Sequence, residues 1–222
     1  MSATVWFLTS NQGKLDEAAH HFSEVGMEVR ALSVDSGVVV EPQAEDLETV
    51  ARAKIQQALK HLPEGETTVM VEDAGLFIDA LGGFPGVYSS YVHDTIGNLG
   101  IVRLLHHLTS EDPVRAKRLR AASFQAVAVL WDGHQLIVGK GVCRGSIASE
   151  AQGENGFGYD PIFIPADLDE DGASLDPETL GVVSTHGRTF GSVDVSEKHL
   201  FSHRRRAIED LVRQMPQLNA GE

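Results

Sequence analysis

Residues 121–145 carry the strongest secondary-structure signal in the chain, because two β-rich runs meet there at Asp132-Gly133. An Asp-Gly pair favours the tight turn of a β-hairpin, so this stretch predicts two long antiparallel strands. Earlier in the chain, strand-like runs alternate with amphipathic helical segments, an order typical of a parallel sheet. A sheet that combines both patterns is mixed. We therefore predict an α/β fold in which helices cover both faces of a mixed β-sheet.

Hydrophobic periodicity places the remaining elements. The clearest helix covers residues 47–62, where apolar side chains form one stripe that ends before Pro63 and Gly65. Further predicted helices are residues 14–25, 98–108 and 202–215, and further predicted strands are residues 5–10, 27–34, 37–40, 67–76 and 158–165. Residues 166–188 are acidic and contain glycine and proline, which predicts a surface insertion in a single domain that spans residues 1–222.

The chain is strongly acidic, with 32 Asp and Glu against 18 Lys and Arg and a formal net charge of −14 over 222 residues. Non-specific nucleic-acid binding depends on neutralising phosphates, so we expect no nucleic-acid partner. No apolar run approaches the roughly 18 residues that span a bilayer, so we expect no membrane association. Cys143 is the single cysteine, which excludes an internal disulfide. These features together predict a cytoplasmic protein.

The sequence TSNQGK, residues 9–14, follows an apolar strand and opens a predicted helix. Backbone N–H groups at a helix N-terminus lack helical partners, and the helix dipole favours negative charge there, so this loop is suited to an anion. Asn11 would either cap the helix or touch a ligand, while Lys14 adds a positive charge. A plain capped turn with a solvent-facing lysine is the alternative interpretation of the same residues.

Two carboxylates, Glu72 and Asp73, directly follow an apolar run, and we expect them at the carboxyl end of that strand. Ligand sites of open α/β sheets lie at such strand ends. Glu41 follows the run GVVV and would complete a set of oxygen ligands. Mg²⁺ is the expected metal, because it is held by one or two carboxylates together with waters and phosphate oxygens. A turn with a helix cap is the alternative for the Glu72-Asp73 pair.

Two further segments are candidates for binding. Lys198, His203 and Arg204 precede or open the last predicted helix, where positive charge opposes the helix dipole unless an anion lies among them. The alternative there is a basic, solvated helix end. The glycine-rich run GENGFGYDP, residues 153–161, would bring aromatic rings and a carboxylate to a planar base. The alternative for this run is a glycine-rich turn into an edge strand.

These motifs occur in one order along the chain: TSNQGK, EPQAEDLETVARAK, VEDAGL, LGGFPGVYSS, GFGYDPIF and EKHLFSHRRRA. In this order, from residue 9 to residue 207, the chain resembles the Ham1/RdgB-type inosine triphosphate pyrophosphatases, also called XTP/dITP diphosphatases. The resemblance implies an elongated mixed sheet in two lobes around a central cleft, and a homodimer. It also implies Mg²⁺-dependent hydrolysis of ITP, dITP and XTP to the nucleoside monophosphate and pyrophosphate.

The resemblance assigns roles to individual residues. Asp73 and Lys14 would act in catalysis, Asp73 as the base that orients or deprotonates the attacking water. The implied metal ligands are Glu41 with Glu72 or Asp73. The implied triphosphate ligands are Thr9, Ser10, Asn11, Gln12, Gly13, Lys14, Lys54 and Lys198. The residues implied to hold the base and recognise its 6-oxo edge are Phe157, Gly158, Tyr159, Asp160, His203 and Arg204.

Three features depart from the family pattern. Ala74 occupies a substrate-binding position where a hydroxyl residue is usual, so one phosphate contact is expected to be missing. His199 replaces a usual asparagine, and residues 166–188 form a longer and more acidic stretch than is typical. Two other functions remain as alternatives: a Maf-like nucleotide pyrophosphatase, for which an arginine is expected where Lys14 stands, and a non-catalytic nucleotide-binding protein.

Overall fold

The computed structural model describes residues 4–35, 37–40 and 42–215. Within these residues the strands are β1 Thr4–Phe7, β2 Glu28–Ala31, β3 Val69–Ile78, β4 Ala121–Trp131, β5 Leu136–Ile147 and β6 Phe163–Pro165. They form one six-stranded sheet in the order β2-β1-β3-β4-β5-β6. Strand β1 runs parallel to β2 and to β3, whereas β5 and β6 are antiparallel. The mixed α/β sheet predicted from the sequence is therefore confirmed.

Helices connect the strands in the described residues. They are α1 Gln12–Glu24, α2 Leu47–Ala58, α3 Ser89–Thr95, α4 Gly97–Leu104, α5 Pro113–Leu119, α6 Val195–His199 and α7 His203–Gln214. Side-chain caps fix where the first two begin, because Asn11 accepts the Lys14 N–H of α1 and Asp46 accepts the Thr49 N–H of α2. No helix of the described residues is long and apolar enough to cross a membrane.

The chain divides into two compact units, each with a hydrophobic core of its own. Unit 1 comprises the described residues of 1–74, 126–141 and 203–222, and unit 2 comprises residues 75–125 and 142–202. The core of unit 1 includes Val5, Phe7, Phe22, Met70, Leu130, Ala207, Ile208 and Leu211. The core of unit 2 includes Ile101, Phe124, Phe163, Phe190 and Phe201. The expectation of a single domain with an insertion stays a prediction.

Strand β3 extends further beyond the acidic pair than the sequence predicts. Glu72 and Asp73 were expected at the carboxyl end of a strand predicted over residues 67–76, but β3 covers Val69–Ile78 and continues past them to Ile78. The continuation is stabilised by burial, because Leu76 and Ile78 are fully buried in the core of unit 2. Gly75 permits a close approach there, since a Cβ atom at this position would lie 2.3 Å from the Gly86 carbonyl oxygen. The acidic pair therefore lies in the middle of a strand.

Residues 37–40 do not form the predicted strand, and Glu41 lies outside the described residues. Gly37 has a φ of 86°, a left-handed conformation that belongs to a turn. The Gln57 side chain of α2 provides the hydrogen bonds that a neighbouring strand would supply. Its Oε1 accepts the Val40 N–H and its Nε2 donates to the Val40 carbonyl, both at 2.8 Å.

Three helices, α3, α5 and α6, were not predicted from the sequence, and the first two have different explanations. Helix α3 contains β-branched and aromatic residues of low helix propensity, and it is stabilised by the burial of Val92. The start of helix α5 is indicated by its sequence, because Asp112 caps the helix and Pro113 occupies its first position. Residues 166–188 contain no helix, and their backbone bridges connect the buried Leu168 to Ser174 and Val183.

Candidate active site

The loop before α1 is an ordered, capped turn. Asn11 Oδ1 accepts the Lys14 N–H at 3.2 Å, and Thr9 Oγ1 accepts the Asn11 N–H at 3.1 Å. The cap alternative raised for Asn11 is therefore realised. Ser10, Gln12 and Gly13 are exposed, so the start of the helix is open to solvent. This geometry keeps the anion-binding character expected of a helix N-terminus.

Lys14 is not a solvent-facing lysine, because its ammonium group lies 2.6 Å from Glu72 Oε2. Arg204 contacts the other oxygen of the same carboxylate: its Nε donates to Glu72 Oε1 at 3.2 Å. The Nη1 of Arg204 donates in turn to Glu17 Oε2 at 3.1 Å. Two cations and two carboxylates thus form a continuous chain of ion pairs in unit 1, in the order Lys14, Glu72, Arg204 and Glu17.

The Glu72 carboxylate stays ionised although it is buried. Burial alone raises the pKa of a carboxyl group, but the opposing charges of Lys14 and Arg204, aided by the Lys14 hydrogen bond and by His203, lower the pKa of Glu72 to about 2. Glu72 is therefore a fixed negative charge at neutral pH. It holds two cations in place, one from each of two helices.

Asp73, the next residue of β3, faces a different environment. Lys54 of α2 donates a hydrogen bond of 3.1 Å to Asp73 Oδ1. Asp73 is partly exposed, whereas the Glu72 side chain is completely buried. Because consecutive side chains of a strand point to opposite sides, the two carboxylates engage different lysines. Asp73 is accordingly the member of the pair that solvent reaches.

The basic start of α7 is balanced by carboxylates of the protein itself. Arg204 is buried between Glu72 and Glu17, and Arg205 donates a 2.6 Å hydrogen bond to Glu209. These contacts offset the unfavourable helix-dipole interaction without an external anion. Helix α7 also lies directly on β5, since a Cβ atom at Gly141 would be 1.9 Å from the His203 carbonyl oxygen.

Unit 2 contains the second group of predicted site residues, the loop Phe157–Asp160. Asp160 Oδ2 accepts the Phe157 N–H at 2.8 Å and lies 2.6 Å from the Lys198 ammonium group. The same ammonium group is 4.9 Å from the centre of the Phe157 ring, within cation–π distance. Phe157 is half exposed while Tyr159 is buried. The loop therefore presents one aromatic face to solvent on a backbone held by an ion pair.

Glu17, which contacts Arg204, was not predicted as a site residue. A signal was present, because Glu17 lies three residues after Lys14 and such residues share a helix face. Its partner on α7 is 187 positions away, which no local pattern indicates. Asn98 was missed as well: its Nδ2 donates to the Gly158 carbonyl at 3.0 Å.

The predicted metal ligands fit Mg²⁺ only in part. Within the described residues, no group of three or more His, Cys, Asp or Glu side chains is arranged to hold a metal, and Glu41 lies outside those residues. The two oxygens of Glu72 already contact Lys14 and Arg204, so a further cation there would be repelled. Asp73 is partly exposed, and one such carboxylate with phosphate oxygens and waters satisfies Mg²⁺.

The fold and this cluster define an α/β protein that combines an anion-binding helix N-terminus with two adjacent, lysine-paired carboxylates. The chain belongs to the Ham1 family, whose family model matches residues 5–214. The resemblance inferred from the motifs is therefore confirmed.

Named relatives and solved structures agree with this membership. The chain is 38% identical over 204 residues to a dITP/XTP pyrophosphatase of Thermococcus kodakarensis, with 92% of each chain covered. It is 38% identical over 206 residues to a dITP/XTP pyrophosphatase of Methanopyrus kandleri, again with 92% of each covered. Its structure is similar to a HAM1 protein from Coxiella burnetii, with a TM-score of 0.72, 27% identity and coverage of 95% of this chain and 97% of that one. The Ham1 protein of Staphylococcus aureus gives a TM-score of 0.67, 28% identity and coverage of 93% and 94%.

Proposed function

We propose that this protein hydrolyses non-standard purine nucleoside triphosphates, namely ITP, dITP and XTP, to the nucleoside monophosphate and pyrophosphate. Acting in the cytoplasm, it would remove these compounds from the nucleotide pool. Membership of the Ham1 family supports the reaction class, and so does the similarity over most of the chain to proteins named dITP/XTP pyrophosphatase.

One observation carries the proposal: the lysine pairing of the adjacent carboxylates in β3. Glu72 pairs with Lys14 of α1 at 2.6 Å, and Asp73 pairs with Lys54 of α2 at 3.1 Å. Lysines positioned in this way neutralise phosphate charge, which is the main requirement of phosphoryl transfer. The partly exposed carboxylate beside them is suited to accept a proton from water.

We assign the triphosphate to the start of α1. The exposed residues Ser10, Gln12 and Gly13 supply backbone N–H groups at the helix N-terminus, while Thr9 and Asn11 hold the turn in shape. Lys14 exchanges part of its interaction with Glu72 for phosphate oxygens, and Lys54 and Lys198 add further positive charge. Ala74 offers no hydroxyl, so this position contributes no side-chain hydrogen bond to a phosphate.

In the chemical step, a water oxygen bonds to the α-phosphorus while the bond from that phosphorus to the bridging oxygen of the β-phosphate breaks. Asp73 orients the water and accepts its proton, and pyrophosphate leaves with the bridging oxygen. Glu72 takes no proton, because its pKa of about 2 keeps it ionised at neutral pH. Its role is to hold Lys14 and Arg204 in fixed positions.

Asp73 and Glu41 are the residues we assign to Mg²⁺, with Glu72 as the alternative to Asp73 that the sequence analysis left open. When bound, Mg²⁺ would supply charge neutralisation on the phosphate oxygens. The partial exposure of Asp73 supports its choice over Glu72.

The purine base is assigned to Phe157, Gly158, Tyr159 and Asp160, with His203 and Arg204. The half-exposed Phe157 ring provides a stacking surface, and Lys198 and Asp160 hold the backbone around it. A donor aimed at the 6-oxo group would be left facing the 6-amino group of adenine, which disfavours ATP.

We also assign a homodimer to this protein. Five large apolar side chains near α3 and α4 are between 40% and 71% exposed: Phe84, Tyr88, Tyr91, Ile96 and Leu99. Exposed large apolar side chains are typical of a protein–protein interface where they form one patch. Light scattering after size-exclusion chromatography tests the assignment, and a mass of 24.0 kDa, that of one chain, would contradict it.

The activity is tested by incubating the pure protein with Mg²⁺ and ITP, dITP, XTP, ATP or GTP, and by separating pyrophosphate from orthophosphate. We expect pyrophosphate as the first product, with faster turnover of ITP, dITP and XTP than of ATP. Orthophosphate as the first product, or equal rates with ATP and ITP, would contradict the proposal.

A further inference from the structure

The loop Phe157–Asp160 is held by side chains from outside the loop. Lys198 contacts one end of it through Asp160. Asn98, in the first turn of α4, contacts its centre: the Asn98 Nδ2 donates a 3.0 Å hydrogen bond to the Gly158 carbonyl oxygen. The two residues are 60 positions apart in sequence, so this contact depends on the fold of unit 2.

Asn98 contacts the peptide between Gly158 and Tyr159. The hydrogen bonds within the loop do not determine the orientation of this peptide. Residues 157–160 form a β-turn in which the Asp160 N–H donates to the Phe157 carbonyl at 3.2 Å. This hydrogen bond joins the ends of the turn, and turn types differ in the orientation of the central peptide, here between Gly158 and Tyr159. Gly158 has a φ of 62° and can adopt either sign of φ. The Asn98 amide therefore selects one orientation of this peptide.

That orientation determines the direction of the Tyr159 N–H. The peptide is trans, so its C=O and N–H point in opposite directions. With the Gly158 carbonyl held toward Asn98, the Tyr159 N–H points away from Asn98. Among the hydrogen bonds of the described residues outside regular elements, this N–H donates none. The Tyr159 ring is fixed separately, because its hydroxyl donates to the Ser89 carbonyl at 2.9 Å.

Packing does not account for an asparagine at position 98. Its Oδ1 is buried and accepts no hydrogen bond within the described residues. A buried polar atom without a partner destabilises a fold. The Asn98 amide is thus tolerated because its Nδ2 donates a hydrogen bond to the Gly158 carbonyl oxygen.

We propose that Asn98 is a positioning residue for substrate specificity. By holding the Gly158 carbonyl, Asn98 orients the Tyr159 N–H so that this N–H donates a hydrogen bond to the 6-oxo group of the purine. A 6-amino group offers hydrogen atoms to that donor and gains no bond. Arg204, the other candidate donor, already engages Glu72 and Glu17. This inference rests on the proposed function.

Asn98→Asp is the test variant, because it keeps the size of the side chain and replaces the donor with an oxygen that repels the Gly158 carbonyl. An acid in the first turn of α4 is favourable for the helix dipole, so the variant should fold. Asn155→Asp is the matched control. Asn155 lies in the same glycine-rich run, and its Nδ2 donates a 3.0 Å hydrogen bond to the Val193 carbonyl.

We expect Asn98→Asp to lower the ratio of kcat/KM for ITP to kcat/KM for ATP about tenfold, through a higher KM for ITP at nearly unchanged kcat. Asn155→Asp should leave the ratio within about twofold of the original protein. An unchanged ratio in Asn98→Asp, or an equal fall in both variants, overturns the assignment.

A binding measurement separates this inference from the proposed function. By calorimetry without metal, IMP should bind more tightly than AMP to the original protein, and Asn98→Asp should reduce that preference. If no pyrophosphate is released from ITP, the proposed function fails, and the two binding preferences still decide the role of Asn98. Equal preference for IMP in the original protein and in Asn98→Asp overturns the inference alone.

Discussion

The Lys14 ammonium group lies 2.6 Å from the Glu72 carboxylate, so a helix residue and a strand residue 58 positions apart form an ion pair. The Glu72 side chain is fully buried and the Lys14 side chain is 20% exposed. The lysine that we assign to phosphate is therefore oriented by the folded protein before any nucleotide binds. Because folding has already oriented Lys14, the catalytic step does not include the entropy cost of orienting it.

Replacing Asp73 by Asn should abolish most turnover and preserve the fold. The amide keeps an oxygen for Lys54 but cannot accept a proton from water, so we expect kcat to fall about 10²- to 10⁴-fold. Pyrophosphate release and thermal unfolding measure the two effects. Asp79→Asn, at an exposed carboxylate shortly after β3, is the control and should retain full activity. A fully active Asp73→Asn protein would assign the base to another residue.

Glu72 should make the stability of the protein depend on acid pH. Its folded pKa of about 2 lies below its usual value of 4.5, so its contribution is complete above pH 4.5 and is lost as the pH falls toward 2. By this shift the stability difference between the original protein and Glu72→Gln should shrink by about 3 kcal/mol over that range. Urea unfolding at a series of pH values measures it. A difference that stays constant from pH 6 to pH 3 would refute the assignment.

Arg204 and Glu17 should be energetically coupled. Arg204 donates through Nε to Glu72 and through Nη1 to Glu17, and a lysine cannot span both carboxylates with one ammonium group. We expect Arg204→Lys to destabilise the protein by about 1.5–3 kcal/mol. In a double-mutant cycle with Glu17→Gln, the two effects should depart from additivity by about 1 kcal/mol. Arg213→Lys, at a largely exposed arginine, is the control. Strict additivity would show that the Arg204–Glu17 contact carries no energy.

Gly141 should tolerate no side chain. A Cβ atom there would lie 1.9 Å from the His203 carbonyl oxygen and 2.5 Å from the Ala207 nitrogen, so α7 would have to move. We expect Gly141→Ala to destabilise the protein by about 2 kcal/mol or more. Gly65→Ala is the control: its φ is 85° and nothing lies within 4 Å of an added Cβ atom, so it should cost only the backbone strain of about 1 kcal/mol. Equal losses in the two variants would contradict the close approach of α7 to β5.

The parts of the fold that sequence predicts are those with a local cause. The hairpin of β4 and β5 follows from two β-rich runs and an Asp-Gly turn, and α2 follows from its apolar stripe and its Asp46 cap. The end of β3 was misplaced because a pair of acids suggests solvent. Its burial depends on partners that are distant in sequence.

In the candidate site, too, some features can be predicted from local sequence and others cannot. The TSNQGK loop, the acidic pair and the start of α7 are visible as motifs, so the sequence predicts their residues as site candidates. Their pairings were not, because Lys14 with Glu72 and Arg204 with Glu17 join segments that only the folded chain brings together. The sequence therefore predicted which groups are present, and the structure adds which cation each carboxylate holds.

Unit 1 is built from segments that are far apart in the sequence, and this has a consequence for synthesis on the ribosome. Val5 and Phe7 of the first strand share a core with Ala207, Ile208 and Leu211 of the last helix. Because a chain emerges from its N-terminus at a few residues per second, β1 is made long before its partners on α7 exist. The nascent chain must keep an apolar strand from aggregating until α7 has emerged. Emergence of α7, rather than passage of the first 74 residues, is then the event that completes unit 1.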